Sequence, residues 1–120
     1  MRPVLALVAI RPGSLQDSLV ALVTTLHQVN TVLIAEDAAS ALRAIAKHRP
    51  ALVLLETSIP AEDGQSALRQ IKTEWPSTRC IALADDVHEQ DEAEASGADV
   101  VLLKGYPAAE LIAAVERLLA

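Results

Sequence analysis

A chain of 120 residues with 52% hydrophobic content is long enough to fold around one core and too short for two ordinary domains, so one domain over residues 1–120 is expected. Phe is absent and aromatic residues make up 2% of the chain, so that core has to be built from Leu, Val, Ile and Ala. A net charge of -6 argues against a nucleic-acid partner, whose phosphates are neutralised by Lys and Arg, and no apolar run approaches the roughly 20 residues of a membrane span.

In chain order, the first apolar run, Val4–Ile10, reads as a strand. It follows a single basic residue as a secretory leader would. Yet it is at the short limit, runs straight into Arg11-Pro12 and lacks a small-residue cleavage site, so a reducing, cytoplasmic location is expected. Ser14 is placed to cap a helix with Leu15, Leu19, Leu22 and Leu26 on one face and Asp17 near its positive end. Thr31–Ala35 is the second strand. Asp37 caps the helix after it, Leu42 and Ile45 point inward, and Pro50 stops it. Ala51–Leu55 is the third strand, followed by a helix that begins near Asp63, buries Leu68 and Ile71 and ends before Pro76. After the fourth strand, Cys80–Ala84, the segment HEQDEAEAS gives a short helix with little apolar content, ended at Gly97. Val100–Leu103 is the fifth strand, and Pro107 opens a last helix with the stripe Leu111, Ile112, Val115, Leu118 and Leu119.

The strand segments are continuously apolar rather than alternating, the pattern of strands covered on both faces. Five alternations of strand and helix predict a doubly wound α/β domain with right-handed crossovers. Periodicity does not set the strand order. If the order is 2-1-3-4-5, the functional site lies at the carboxyl ends of strands one and three. Cys80, alone and inside an apolar run, reads as a buried small hydrophobe. His27, His48 and His88 lack zinc-helix spacing, no serine sits in a nucleophile elbow, and the glycines form no phosphate-cradling loop. Asp85-Asp86 reads as a helix cap, with an improvised cation site as the alternative. Trp75 reads as packing at a helix end, the alternative being an exposed anchor.

At the strand ends, the segment PALVLLETSIPAEDG resembles the third strand and following loop of response-regulator receiver domains. Glu56 stands where that family carries its phosphoacceptor aspartate, Pro60 on its proline and Asp63-Gly64 on its acidic-glycine pair. TVLIAEDAASAL resembles the family's second strand and helix, and GADVVLLKGYPAAELIAAVERLL its fifth, with Lys104 on the strand-five lysine. The resemblance spans essentially the whole chain. It implies a flavodoxin-like, three-layer (βα)5 fold with a five-stranded parallel sheet in the order 2-1-3-4-5, a role in phosphorelay signalling and no enzyme activity of its own.

The departures concern the chemistry. Where the family ends strand one in acidic residues that hold magnesium, this chain has Ala9, Ile10 and Arg11. Ala84 replaces the strand-four hydroxyl, Val101 the aromatic switch residue, and Gly105 the proline after the lysine. Magnesium is usually held by one or two carboxylates plus waters, and Glu56 carries its carboxylate farther from the backbone than aspartate by one C–C bond, roughly 1.5 Å. A pseudo-receiver is therefore expected, with no bound metal or cofactor and no useful phosphotransfer. Glu56 is expected to form a fixed charge cluster with Lys104 and Arg11, the alternative being that Arg11 and Glu56 are both solvated rim residues. The partner expected is a protein: a histidine kinase, an output domain or another receiver, a homodimer being one option. The family's usual contact faces are helix four with strand five and helix five, or the surroundings of helices one and five. The alternatives are a receiver still competent for phosphorylation, and a small-molecule-sensing or enzymatic domain of the same fold.

Overall fold

A computed structural model describes residues 4–59 and 64–120. Pro60 and Asp63, both singled out in the sequence, lie outside the described residues. The apolar runs form five strands, β1 (Leu5–Ala9), β2 (Thr31–Ala35), β3 (Leu52–Glu56), β4 (Arg79–Ala84) and β5 (Val100–Leu103). The helices are α1 (Ser14–Thr24), α2 (Ala38–His48), α3 (Gly64–Glu74), α4 (Val87–Ala95) and α5 (Ala108–Leu118). All strand pairs are parallel and the order is β2-β1-β3-β4-β5. This is the flavodoxin-like arrangement, with β1, β3 and β4 in the interior of the sheet.

Side chains alternate between the two faces of each strand, which divides the core in two. Leu7, Val53, Leu55, Cys80 and Ala82 pack against Ala38, Ala41 and Ile45 of α2, Ala67, Leu68 and Ile71 of α3, and Ala93 of α4. On the other face Ala6, Val8, Leu52, Leu54, Ile81 and Leu83 pack against Leu19 and Val23 of α1 and Leu111, Ala114 and Val115 of α5. With no Phe to fill space, small alanines on the helices let the layers approach, as the composition requires.

Three local expectations are corrected. Ser14 is not the cap of α1: Gly13 holds that position with φ 146°, a conformation that suits only glycine, and Ser14 is the first helical residue, with no side-chain cap. The helix ends at Thr24, so Leu26 lies beyond it, and its buried residues are Gln16, Leu19 and Val23. The second strand is not covered on both faces, because it is an edge strand with Ile34 50% exposed. Asp37 does cap α2, accepting from Ser40 N at 2.7 Å.

The third strand runs one residue further than its apolar stretch suggests. All five residues Leu52–Glu56 are buried, and Glu56 pairs in register with Leu83 of β4. A carboxylate is thereby carried to the carboxyl end of the central strand, inside the protein.

Candidate functional site at the carboxyl edge of the sheet

Parallel strands deliver their last residues to a common edge. There Ala9, Ile10 and Arg11 leave β1, Glu56, Thr57 and Ser58 leave β3, Ala84 and Asp85 leave β4, and Lys104 leaves β5. Backbone bonds fix the loops: Thr57 N donates to Leu83 O at 3.0 Å, Lys104 N to Ala84 O at 2.9 Å, and Ile10 N to Ala35 O at 3.1 Å. Ala9, Ile10 and Ala84 are fully buried and bring no polar side-chain atom to the site. An open cleft of about 330 Å³ beside them is lined by Arg11, Pro12, Gly13, Glu56, Asp85 and Lys104.

Glu56 is 2% exposed, and both of its carboxylate oxygens are engaged. Oε1 accepts from the backbone N of Arg11 at 3.0 Å and from Arg11 Nε at 3.2 Å, and Oε2 accepts from Lys104 Nζ at 2.5 Å. Arg11 is anchored a second time, through Nη2 to Ser58 O at 2.5 Å. Lys104 Nζ also meets Asp85 Oδ1 at 2.5 Å and Ser58 Oγ at 3.4 Å. The result is two carboxylates and two cations, balanced in charge, with an ammonium between the acids. The sequence leaves open a cluster of Glu56, Arg11 and Lys104 or a solvated rim position for both Arg11 and Glu56; the cluster forms with Glu56 buried, although Arg11 remains half exposed.

Burial pulls the Glu56 carboxyl upward, but the Lys104 hydrogen bond, the Arg11 backbone N–H and both positive charges outweigh it and hold it below the usual glutamate range. Burial likewise disfavours charge on Lys104, yet the hydrogen bonds to Asp85 and Glu56 leave its pKa raised. Asp85 is lowered, chiefly by its bond to Lys104. The three groups are therefore all ionised at neutral pH.

Response regulator receiver domains, taken as a family, match this chain over residues 14–116. The chain belongs to that family. It is a receiver domain of two-component signalling. No match to a curated protein is found. Among solved structures, the signal receiver domain of an HD domain-containing protein from Pseudomonas fluorescens is 27% identical, with a TM-score of 0.88 over 98% of this chain and 95% of that one. The receiver domain of NtrX from Brucella abortus is 26% identical, with a TM-score of 0.84 over 95% and 97%. A CheY-like response regulator receiver domain protein from Methanospirillum hungatei, 18% identical, has a TM-score of 0.87 over 98% and 94%. That last resemblance speaks to the fold alone.

The other residues singled out in this receiver domain fall as follows. Val101 is partly buried against the α2–α4 side of the core. Asp86 caps α4, accepting from Glu89 N at 2.8 Å, whereas Asp85 turns to Lys104. Cys80 is buried, and burial pushes its thiol up to about 12. Trp75 is partly buried at the end of α3, with the Arg49 guanidinium 5.8 Å from its ring centre. His27, His48 and His88 are exposed, and His88 pairs with Glu92 at 2.7 Å. Among the described residues no helix is long and apolar enough to cross a membrane.

Sequence reasoning missed Gln16, Thr57, Ser58 and Glu89. Gln16 is buried and donates from Nε2 to Ile10 O at 3.0 Å and to Glu36 Oε2 at 3.2 Å, holding the loop after β1. A polar residue on the apolar stripe of α1, one position after Leu15, was the available signal. Ser58, two residues after Glu56, could have been found by its place in the same loop.

Proposed function

We propose that this receiver domain does not take up phosphate and acts by binding a protein partner without a phosphate-driven switch, with the ion cluster standing where a phosphoryl group and its metal would otherwise go. The observation that carries this reading is the saturation of the Glu56 carboxylate by Arg11 and Lys104. A nucleophilic carboxylate needs a free oxygen aimed at phosphorus, and loss of alignment by about 1 Å costs on the order of a hundredfold in rate.

Magnesium does not fit the residues present. Ala9 and Ile10 supply no ligand atom from their side chains, and the two carboxylates at hand, Glu56 and Asp85, are bridged by Lys104 Nζ. A divalent cation would have to displace that ammonium beside the Arg11 guanidinium. Ala84 offers no hydroxyl and Val101 no aromatic ring, so the phosphate-driven rearrangement implied by the family resemblance has no counterpart here. The partner class is the one that receiver domains serve: a histidine kinase, an output domain or another receiver, a second copy of this chain included. No cofactor and no catalysis are assigned to the domain.

Incubation with acetyl phosphate and magnesium, followed by intact mass measurement, tests the proposal. The expected spectrum is that of the unmodified chain. A labile gain of one phosphoryl group that disappears in Glu56→Ala would overturn it.

A further inference from the structure

The helix α4 is held in an unusual way. Its only buried residue is Ala93, so a single methyl group is its fully buried apolar anchor, whereas α3 buries Leu68 and Ile71 and α5 buries Leu111 and Val115. What fixes its first turn is Glu89. The backbone N of Glu89 donates to the cap residue Asp86, and an acid at this third helical position ordinarily reaches back to the cap's own N–H. Here Glu89 Oε1 reaches further, accepting from Asp85 N at 3.2 Å and from the Thr57 hydroxyl at 2.5 Å, and Gln65 Nε2 donates to Glu89 O at 3.2 Å.

We propose that Thr57 and Glu89 form a releasable latch that sets the position of α4 relative to the sheet. Two features make it releasable. Thr57 is buried and its hydroxyl has one proton but two acceptors, Glu89 Oε1 at 2.5 Å and Leu83 O at 3.3 Å, so the proton has a second partner when the helix moves away. Glu89 is only partly buried, so its freed carboxylate passes to water without a desolvation cost.

The latch touches the ion cluster at the ends of β3 and β4. Thr57 directly follows Glu56, and Asp85 gives its N–H to Glu89 and its carboxylate to Lys104. Any partner that draws Glu89 off Thr57, as a Lys or Arg laid against the start of α4 would, therefore loosens one helix while the cluster stays closed. This gives the domain a movable contact element that needs no phosphate, and it holds whether or not Glu56 can be phosphorylated.

Native-state hydrogen exchange on the full chain tests the latch, in Thr57→Val, Glu89→Ala, the double variant and Thr57→Ser. Loss of a hydrogen bond to a charged group corresponds to roughly tenfold or more in the opening equilibrium. The amides of residues 90–95 are expected to exchange about that much faster in Thr57→Val and in Glu89→Ala, no faster in the double variant than in the singles, and at the parent rate in Thr57→Ser, with α1 and α5 unaffected. Glu89 is on the surface side, so Glu89→Ala reads the latch even if Thr57→Val does not fold. Unchanged exchange in α4, an equal rise in every helix, or additive effects in the double variant would each overturn the proposal.

Discussion

Lys104→Met is expected to destabilise the domain by about 3 kcal/mol, lowering the melting temperature by roughly 12 °C. The methionine keeps most of the aliphatic stem of Lys104 and removes its ammonium, with both its charge and its N–H donors, so the loss reports the ion cluster rather than packing. Glu56 is almost fully buried and would keep only Arg11, which is half exposed and therefore partly screened by water. Asp85, losing the same ammonium, returns to solvent at little cost because it lies on the surface. Urea unfolding of Lys104→Met, Glu56→Gln and the double variant separates the pieces. A neutral amide at position 56 needs no counter-charge, so the double variant should lie close to Glu56→Gln alone and well above Lys104→Met. A cost below about 0.5 kcal/mol for Lys104→Met would mean that the pair is an ordinary surface contact.

The second large effect is expected at Gly64. This residue opens α3 on top of the segment that follows Glu56, and a Cβ added there would lie 2.3 Å from Thr57 O and 2.7 Å from Thr57 C. Both are backbone atoms, and the same peptide segment is tied to β4 by Thr57 N donating to Leu83 O. It cannot swing aside as the end of a flexible side chain would. Gly64→Ala is therefore expected to cost about 2–3 kcal/mol, the range of overpacking in a close-packed core, although alanine in a helix is intrinsically the better residue. Gly105 is the comparison: a Cβ there meets nothing within 4 Å, and its penalty comes only from φ +96°. Thermal melts of Gly64→Ala and Gly105→Ala should therefore rank with Gly64→Ala clearly lower. The reverse order would show that the connection after β3 yields more easily than its bonds suggest.

The alternation of five apolar runs with capped amphipathic segments is enough to give the layers and the element order, because continuous apolar runs and helical stripes differ sharply in this chain. The strand order came from the resemblance, not from periodicity. Local errors fell where one residue type serves two roles. Ser14 looks like a cap, yet Gly13 before it can take a φ that no L side chain adopts easily, and the helix starts from there. The edge position of β2 is not legible in the sequence because edge and interior strands of an apolar sheet look alike in composition.

At the site, the loss of acids after β1 was legible directly from Ala9 and Ile10. Whether Glu56 stood on the rim or inside was not, because that depends on the strand extending by one residue into the register opposite Leu83. The sequence offers Asp85 as a cap or a cation site, and its actual partner is Lys104, just past the end of β5 and far beyond the reach of a local pattern. Thr57 and Glu89 are separated by 32 positions, and no local pattern announces a side-chain bond across that distance.

The central claim is that the Arg11–Glu56–Lys104 cluster occupies the place of a metal and a phosphoryl group. Its most direct measurement is a titration of the domain with magnesium and beryllofluoride, a phosphoryl mimic that demands no bond breaking, followed through the backbone amide resonances of Thr57, Ser58 and Lys104. The account predicts that these resonances stay in place up to millimolar concentrations of both. Saturable shifts at all three, requiring both ions and abolished by Glu56→Ala, would contradict it and would make the domain a working phosphoacceptor.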